Sequence, residues 1–269
     1  MSARAEIEKL AGAEEYKSFV TDLIRVNRIA RQHKIHLDLP VLITVTGKGQ
    51  GNTTCLRLLA NLLKEEKILQ FSGEEEVFEW RFLQADKDAV MRLICRMEQA
   101  AGFYPYYSGV IGLELQDLNR FDQLDKRLFD LIHENRFRVL FCLQISEKQE
   151  KTFLEDLQET LNEFAHVKTL HLIPKEKDLY QFVRDEFRRK GFYLGNGLSE
   201  SIPGFVETAG TNGYRSLGHA VNEVIWEKLR KNTGDIIRPI DLQAYRETVR
   251  SRSSGKKAQK MIGFGMHEQ

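Results

Sequence analysis

The chain has 269 residues, 42% of them hydrophobic, and a formal net charge of +1. That length supports one large core, or a core with a smaller second domain, and the near-neutral balance gives no electrostatic basis for binding nucleic acid or a membrane surface. No apolar run approaches the ~20 residues of a membrane span, the N-terminus is charged without a signal-peptide core, and Cys55, Cys95 and Cys142 each sit in an apolar run, like buried thiols of a reducing compartment, so a soluble cytoplasmic protein is expected.

Residues 3–35 carry Ile7, Leu10, Tyr16, Phe19, Val20, Leu23, Ile24 and Val26 at helical spacing, with Gly12 dividing a short segment from a longer helix. His33 and His36 near its end lack a nearby third ligand and read as solvated or capping residues. Pro40 precedes the apolar run Val41–Val45, the first predicted strand. Strands are predicted again at 77–82, within 107–115, at 138–144 and at 167–173, alternating with helices at 55–63, 89–97, 121–135 and 147–164. Alternation of this kind argues for a parallel, doubly wound α/β sheet of five strands.

Pro174 marks a change. Beyond it no strand is readable, and 179–190, 202–209, 214–229 and 240–249 read as four helices separated by glycines. The expected organisation is an α/β core over 1–174, a small all-helical domain over 175–250 and a flexible basic tail over 251–269. The tail holds Lys256, Lys257 and Lys260 before Met261–Gly265; it reads either as a frayed end or as a docking peptide.

The stretch from Val41 to Thr54 organises the rest. An apolar strand leads into Gly47-Lys48-Gly49-Gln50-Gly51-Asn52-Thr53-Thr54, and a helical pattern follows. Strand, glycine loop and helix are the setting of a phosphate-binding P-loop, where backbone N–H groups and the positive helix end surround phosphate oxygens. The P-loop pattern G-x-x-x-x-G-K-[ST] is one residue short here, and Asn52 stands where the lysine belongs.

A P-loop domain followed by a small helical domain resembles an AAA+ module. Leu10–Lys17 is similar to the "L-V-G-L-E-E-V-K" segment of the AAA+ branch that includes stage V sporulation protein K and the red-type Rubisco activases. Thr46-Gly47 with Thr53-Thr54 and Arg57–Ala60 resembles that branch's "T-G-N-P-G-T-G-K-T-T-V-A-R-L-L-A". Gly109–Glu114 resembles "G-V-L-F-I-D-E-A", and Leu131–Arg136 with Arg138-Val139 resembles "L-L-x-x-M-E-D-N-R-x-x-V". Phe153-Leu154 and the helix from Phe182 to Gly191 fall at the same spacing, so the resemblance spans about residues 5–250.

The resemblance implies ATP or ADP with magnesium as the ligand, and a homo- or hetero-oligomer of AAA+ proteins as the assembly. Carried over residue by residue, the nucleotide site would take in Gly12, Gly47, Lys48, Gly49, Gln50, Gly51, Asn52, Thr53, Thr54, Glu114 and Arg215, with Thr53 and Glu114 at the metal and Arg215 in the place of the nucleotide-sensing arginine. Gln144 falls near the branch's polar sensor, where strand-end packing is the simpler reading.

Several groups depart from the pattern. Asn52 replaces the lysine that contacts the β- and γ-phosphates, and Leu115 replaces the second carboxylate of the acidic pair. The arginine-finger position, 162–168, has no arginine, and the pore-loop position, 81–87, has no glycine. No residue is therefore assigned a catalytic role. The expected function is a hydrolysis-deficient AAA+-like protein, a regulatory or structural subunit working through protein contacts, with or without an active AAA+ relative. The rival is an ATP-binding protein with weak ATPase activity, in which Lys48 replaces the missing lysine and Glu114 holds magnesium. A third reading is a switch that binds nucleotide without hydrolysing it.

Overall fold

The structure, a computed structural model, describes residues 2–35, 38–47, 49–68, 79–84, 109–115, 124, 126–137, 139–149 and 151–262, with the backbone alone for 79–84, 211 and 253–262. The chain divides into two compact units. Among the described residues, the first runs to Gly47 and resumes from Gly51 to Ile173; the second takes Gly49 and Gln50 together with the chain from Pro174 onward.

In the first unit α1 (Ala3–Glu8) and α2 (Glu14–Gln32) precede β1 (Val41–Thr46), α3 (Asn52–Glu65), β2 (Glu79–Gln84), β3 (Gly109–Glu114), α4 (Lys126–Asn135), β4 (Val139–Ser146), α5 (Lys151–Asn162) and β5 (Val167–His171). The strands pair in the order β2-β3-β4-β1-β5, every pair parallel. Successive residues of β1 serve opposite faces, as strand geometry requires. Leu42, with Leu140, Cys142 and Leu170, packs under α1, α2 and α3, including Ile7, Tyr16, Leu23, Leu59 and Leu62. Ile43 and Val45, with Ile111, Phe141 and Leu143, pack under Leu128 and Ile132 of α4 and Phe153 and Leu157 of α5. Helices thus cover both faces, which is why β1 and all of β4 but its last residue are buried and most of their residues are apolar.

The second unit holds α6 (Glu176–Arg189), β6 (Tyr193–Leu194), α7 (Leu198–Ala209), a 3₁₀ turn at Gly210–Asn212, α8 (Gly213–Arg230), β7 (Ile236–Ile237) and α9 (Pro239–Ile262). Val183, Phe187, Ile202, Phe205, Leu217, Val221 and Leu242 form its separate core.

Here the sequence-based expectations need correcting. The chain beyond Pro174 is not strandless, because β6 and β7 pair in parallel; at two residues each they are too short to show an alternation. Gly197, at φ +75°, sets the start of α7 four residues ahead of Ile202, and Pro203 lies inside that helix. α9 does not stop at Val249 but runs through Ile262, on a sequence rich in good helix formers and poor in apolar residues. The helix expected at 89–97, Cys95, and the Gly263–Gly265 end of the tail lie outside the described residues.

Candidate functional site

α3 forms because Cys55, Leu56, Leu58, Leu59, Leu62 and Leu63 give one continuous buried stripe. Its start is set by Gly51, the N-cap residue, at φ +93°, a left-handed conformation that favours glycine. Gly51 makes no side-chain cap, and the first turn carries no acidic residue. The partial positive charge of this helix end is therefore not offset by a carboxylate of its own first turn.

Asn52 opens the helix and is 6% exposed. Its side chain turns to β4, where Asn52 Nδ2 donates to Gln144 Oε1, and Gln144 is itself 4% exposed. Among the described residues, Asn52 Oδ1 is buried without a hydrogen-bond partner. Gln144 lies in register with Thr44 of β1 on one side and Glu114 of β3 on the other. These residues share the sheet face that α3 covers, so a polar row crosses the end of β3, β4 and β1 next to the glycine loop. Glu114 is half-buried there. The next residue, Leu115, is fully buried in the core of the opposite face, and its amide donates to the Gln144 carbonyl at 2.7 Å. Gln149 ties the end of β4 to the same segment, donating from Nε2 to the Leu115 carbonyl at 2.9 Å.

The other predicted residues are placed as follows. Thr53 and Thr54 are exposed on the first turn of α3. Gly12, at φ +67°, lies in the turn between α1 and α2. Gly49 belongs to the second unit, where its carbonyl accepts the Arg215 amide at 3.2 Å, so Arg215 meets the loop residue through its backbone. Gly47 and Gln50 are half-buried, and Lys48 lies outside the described residues. Gln144, which the sequence places near a polar-sensor position but which reads more simply as strand-end packing, is the residue not counted among the site residues. The available signal was a polar side chain near the end of an otherwise apolar buried run.

Beneath the loop, the Tyr16 hydroxyl donates to the Cys55 carbonyl at 2.7 Å, and Cys142 Sγ lies 3.6 Å from Thr44 Oγ1. Burial pushes both Cys55 and Cys142 up to about 12, which makes them inert thiols. Among the described residues no cluster of three or more His, Cys, Asp or Glu forms a metal centre.

The arrangement fits one half of the ligand that an AAA+ site implies. Gly51 at positive φ and the uncapped helix start that follows it suit phosphate oxygens. Where the resemblance implies a lysine stands a neutral carboxamide, Asn52, engaged with Gln144, and where it implies a second carboxylate stands a core leucine, Leu115.

No helix among the described residues is long and apolar enough to cross a membrane. No protein-family profile and no curated protein sequence matches the chain. Solved structures do share its fold. A point mutant of RuvB from Thermotoga maritima matches with a TM-score of 0.56 at 12% identity, over 92% of this chain and 72% of that one. The ORC2 protein of Aeropyrum pernix, solved as ADPNP–ADP complexes, gives 0.57 at 13%, over 87% and 68%. PCH-2 of C. elegans gives 0.50 at 14%, over 90% and 69%. At such identities the likeness is one of fold: a parallel-sheet α/β unit with a helical unit.

Proposed function

We propose that the chain is a hydrolysis-deficient AAA+-like protein, related to the branch of stage V sporulation protein K and the red-type Rubisco activases. It acts through protein contacts, as a regulatory or structural subunit of an AAA+ oligomer, with or without an active relative beside it. The observation that supports this best is the buried carboxamide pair of Asn52 and Gln144, which stands where a working site needs a cation. A charge-assisted hydrogen bond to phosphate is worth roughly 1.5–3 kcal/mol. Loss of general-base help costs about 10²–10⁴ in rate, and loss of an arginine finger about 10³–10⁵. These losses do not multiply cleanly, but together they remove useful turnover.

The test is ATP turnover by the purified chain with magnesium. No turnover above background is expected; a rate of ordinary AAA+ size, abolished by Thr53→Ala, would overturn the reading.

A second reading, an ATP- or ADP-binding protein with weak ATPase activity, is favoured by the uncapped start of α3 and by half-buried Glu114 at the end of β3. Calorimetric titration with a non-hydrolysable ATP analogue separates the two. Absence of heat at millimolar analogue removes the second reading.

A further inference from the structure

The near-neutral balance of the whole chain conceals a local excess. From Thr248 to His267 the sequence holds Arg250, Arg252, Lys256, Lys257 and Lys260 and no Asp or Glu, so this stretch carries +5 in a chain whose net charge is +1. The structure places all five cations in one helix, because α9 runs through Ile262. Arg250, Ser253, Lys256, Lys257 and Lys260 stand at i, i+3, i+6, i+7 and i+10, the spacing of a single helix face, and Met261 follows Lys257 at i+4. Among the described residues, the core of the second unit takes only Leu242 and Tyr245 from this helix, both in its first two turns. Arg252 meets Glu223 of α8 at 3.5 Å, with both side chains more than half exposed.

Arg252, Lys256 and Lys260 follow one another at i, i+4 and i+8, where like charges repel and weaken a helix. An extended anionic surface neutralises such a row and turns the repulsion into attraction. The cations are followed at once by Met261, Ile262, Phe264 and Met266, four large apolar residues within six positions. A nucleic-acid backbone would take the cations and leave these residues in water. A lipid bilayer takes both, the cations at the level of its headgroups and the apolar side chains at the edge of its hydrocarbon. We propose that the stretch from Arg250 through Met266, led by the basic face of α9, docks the chain on an anionic lipid surface. The contact is peripheral: the helix lies on the bilayer and does not cross it, and no helix among the described residues is long and apolar enough to do so. This inference is independent of the glycine loop and of the function proposed above.

The experiment is sedimentation of the full chain with two kinds of vesicle, phosphatidylcholine alone and phosphatidylcholine with one third phosphatidylserine. The chain should sediment with the anionic vesicles at about 0.1 M salt, stay in solution with the neutral ones, and leave the anionic vesicles at about 0.5 M salt, where charges are screened over a few ångströms. The triple variant Lys256→Gln, Lys257→Gln, Lys260→Gln should bind roughly a hundredfold more weakly, about fivefold for each cation removed. The same substitution at exposed Lys148, Lys175 and Lys177 removes equal charge and should leave binding unchanged. Met261→Ser with Phe264→Ser should weaken binding while keeping its dependence on salt. The inference is overturned if the parent ignores the anionic vesicles, if it binds neutral ones equally well, if either lysine triple behaves like the other, or if a single-stranded RNA captures the chain more tightly than the vesicles do. The comparison of the two lipids uses the parent chain alone, so an unstable variant leaves the test intact.

Discussion

Tyr16 on α2 and Cys55 on α3 are joined by a hydrogen bond in which the tyrosine hydroxyl donates to the helix carbonyl at 2.7 Å. Tyr16 is 2% exposed, so its ring is core and its hydroxyl a fixed tie to the turn that follows the glycine loop. Tyr16→Phe keeps the ring and leaves the carbonyl its own helical hydrogen bond. The expected cost is about 1 kcal/mol. Tyr16→Ala also opens a cavity and should cost about 3–5 kcal/mol. Urea unfolding of the two variants checks this; a Tyr16→Phe midpoint equal to the parent's would show that the hydroxyl contributes nothing.

The buried thiols predict an alkaline weakness. Cys55 and Cys142 are pushed up from an ordinary 9.0 to about 12, in both cases chiefly by burial. The unfolded chain therefore releases these protons near pH 9, while the folded chain holds them until about pH 12. Between those values the folded state binds more protons than the unfolded state, so stability falls as pH rises; below pH 9 these groups contribute no slope. Tyr16, whose phenol burial also pushes upward, adds to the loss above about pH 10. Each thiol can contribute up to about 1.4 kcal/mol per pH unit. Urea midpoints at pH 8 and pH 10.5 should differ, and Cys142→Ala should flatten the difference. A flat profile would contradict the burial of both thiols.

Lys228 on α8 is a buried cation, its side chain 2% exposed, with Nζ 3.0 Å from Asp241 Oδ2 on α9. Asp241 also accepts the Arg238 amide at 2.7 Å and is 19% exposed. The two ends of this pair are thus unequal. Asp241→Ala leaves a buried ammonium with the neutral Thr233 hydroxyl, 3.4 Å from Nζ, and no counter-ion, and should cost about 3–5 kcal/mol. Lys228→Met leaves a carboxylate that still has one donor and some water, and its apolar chain suits the site, so a clearly smaller cost is expected. Thermal unfolding of both variants tests the order; equal losses would mean the burial difference does not matter.

How far the fold and site were readable depends on the distance over which each feature is decided. The glycine loop was legible because an apolar strand, glycines and the stripe from Cys55 to Leu63 are all local. The two-faced sheet was legible too, since β4 is apolar over nearly its whole length. The meeting of Asn52 with Gln144 was not, because these residues are 92 apart and meet only through the pairing of β1 with β4, a neighbour relation that chain order hides. Lys228 was invisible for a related reason. A lysine on an amphipathic helix reads as solvated, and its burial depends on Asp241 of another helix, with the Thr233 hydroxyl beside it. The extension of α9 escaped because helix propensity without an apolar stripe leaves no periodic trace.

Two glycines should respond oppositely to the same substitution. In Gly204→Ala the new methyl would stand 2.7 Å from the Arg246 guanidinium, the far end of a flexible side chain. Arg246 Nε is buried there without a partner among the described residues, so moving the guanidinium toward water relieves an unsatisfied donor. The site lies inside α7, where alanine exceeds glycine by about 1 kcal/mol in helix propensity. Gly204→Ala should therefore raise the melting temperature. Gly49 is different: it sits at φ +77°, and a Cβ there would lie 2.1 Å from the Asn212 carbonyl oxygen, which is backbone and cannot swing aside. The left-handed conformation alone costs an ordinary residue about 1–2 kcal/mol, and the collision adds to it. Gly49→Ala should lower the melting temperature and speed hydrogen exchange of the Arg215 amide, which donates to the Gly49 carbonyl at 3.2 Å. Unchanged exchange at Arg215 would mean that this hydrogen bond does not depend on the close approach of Gly49 to Asn212.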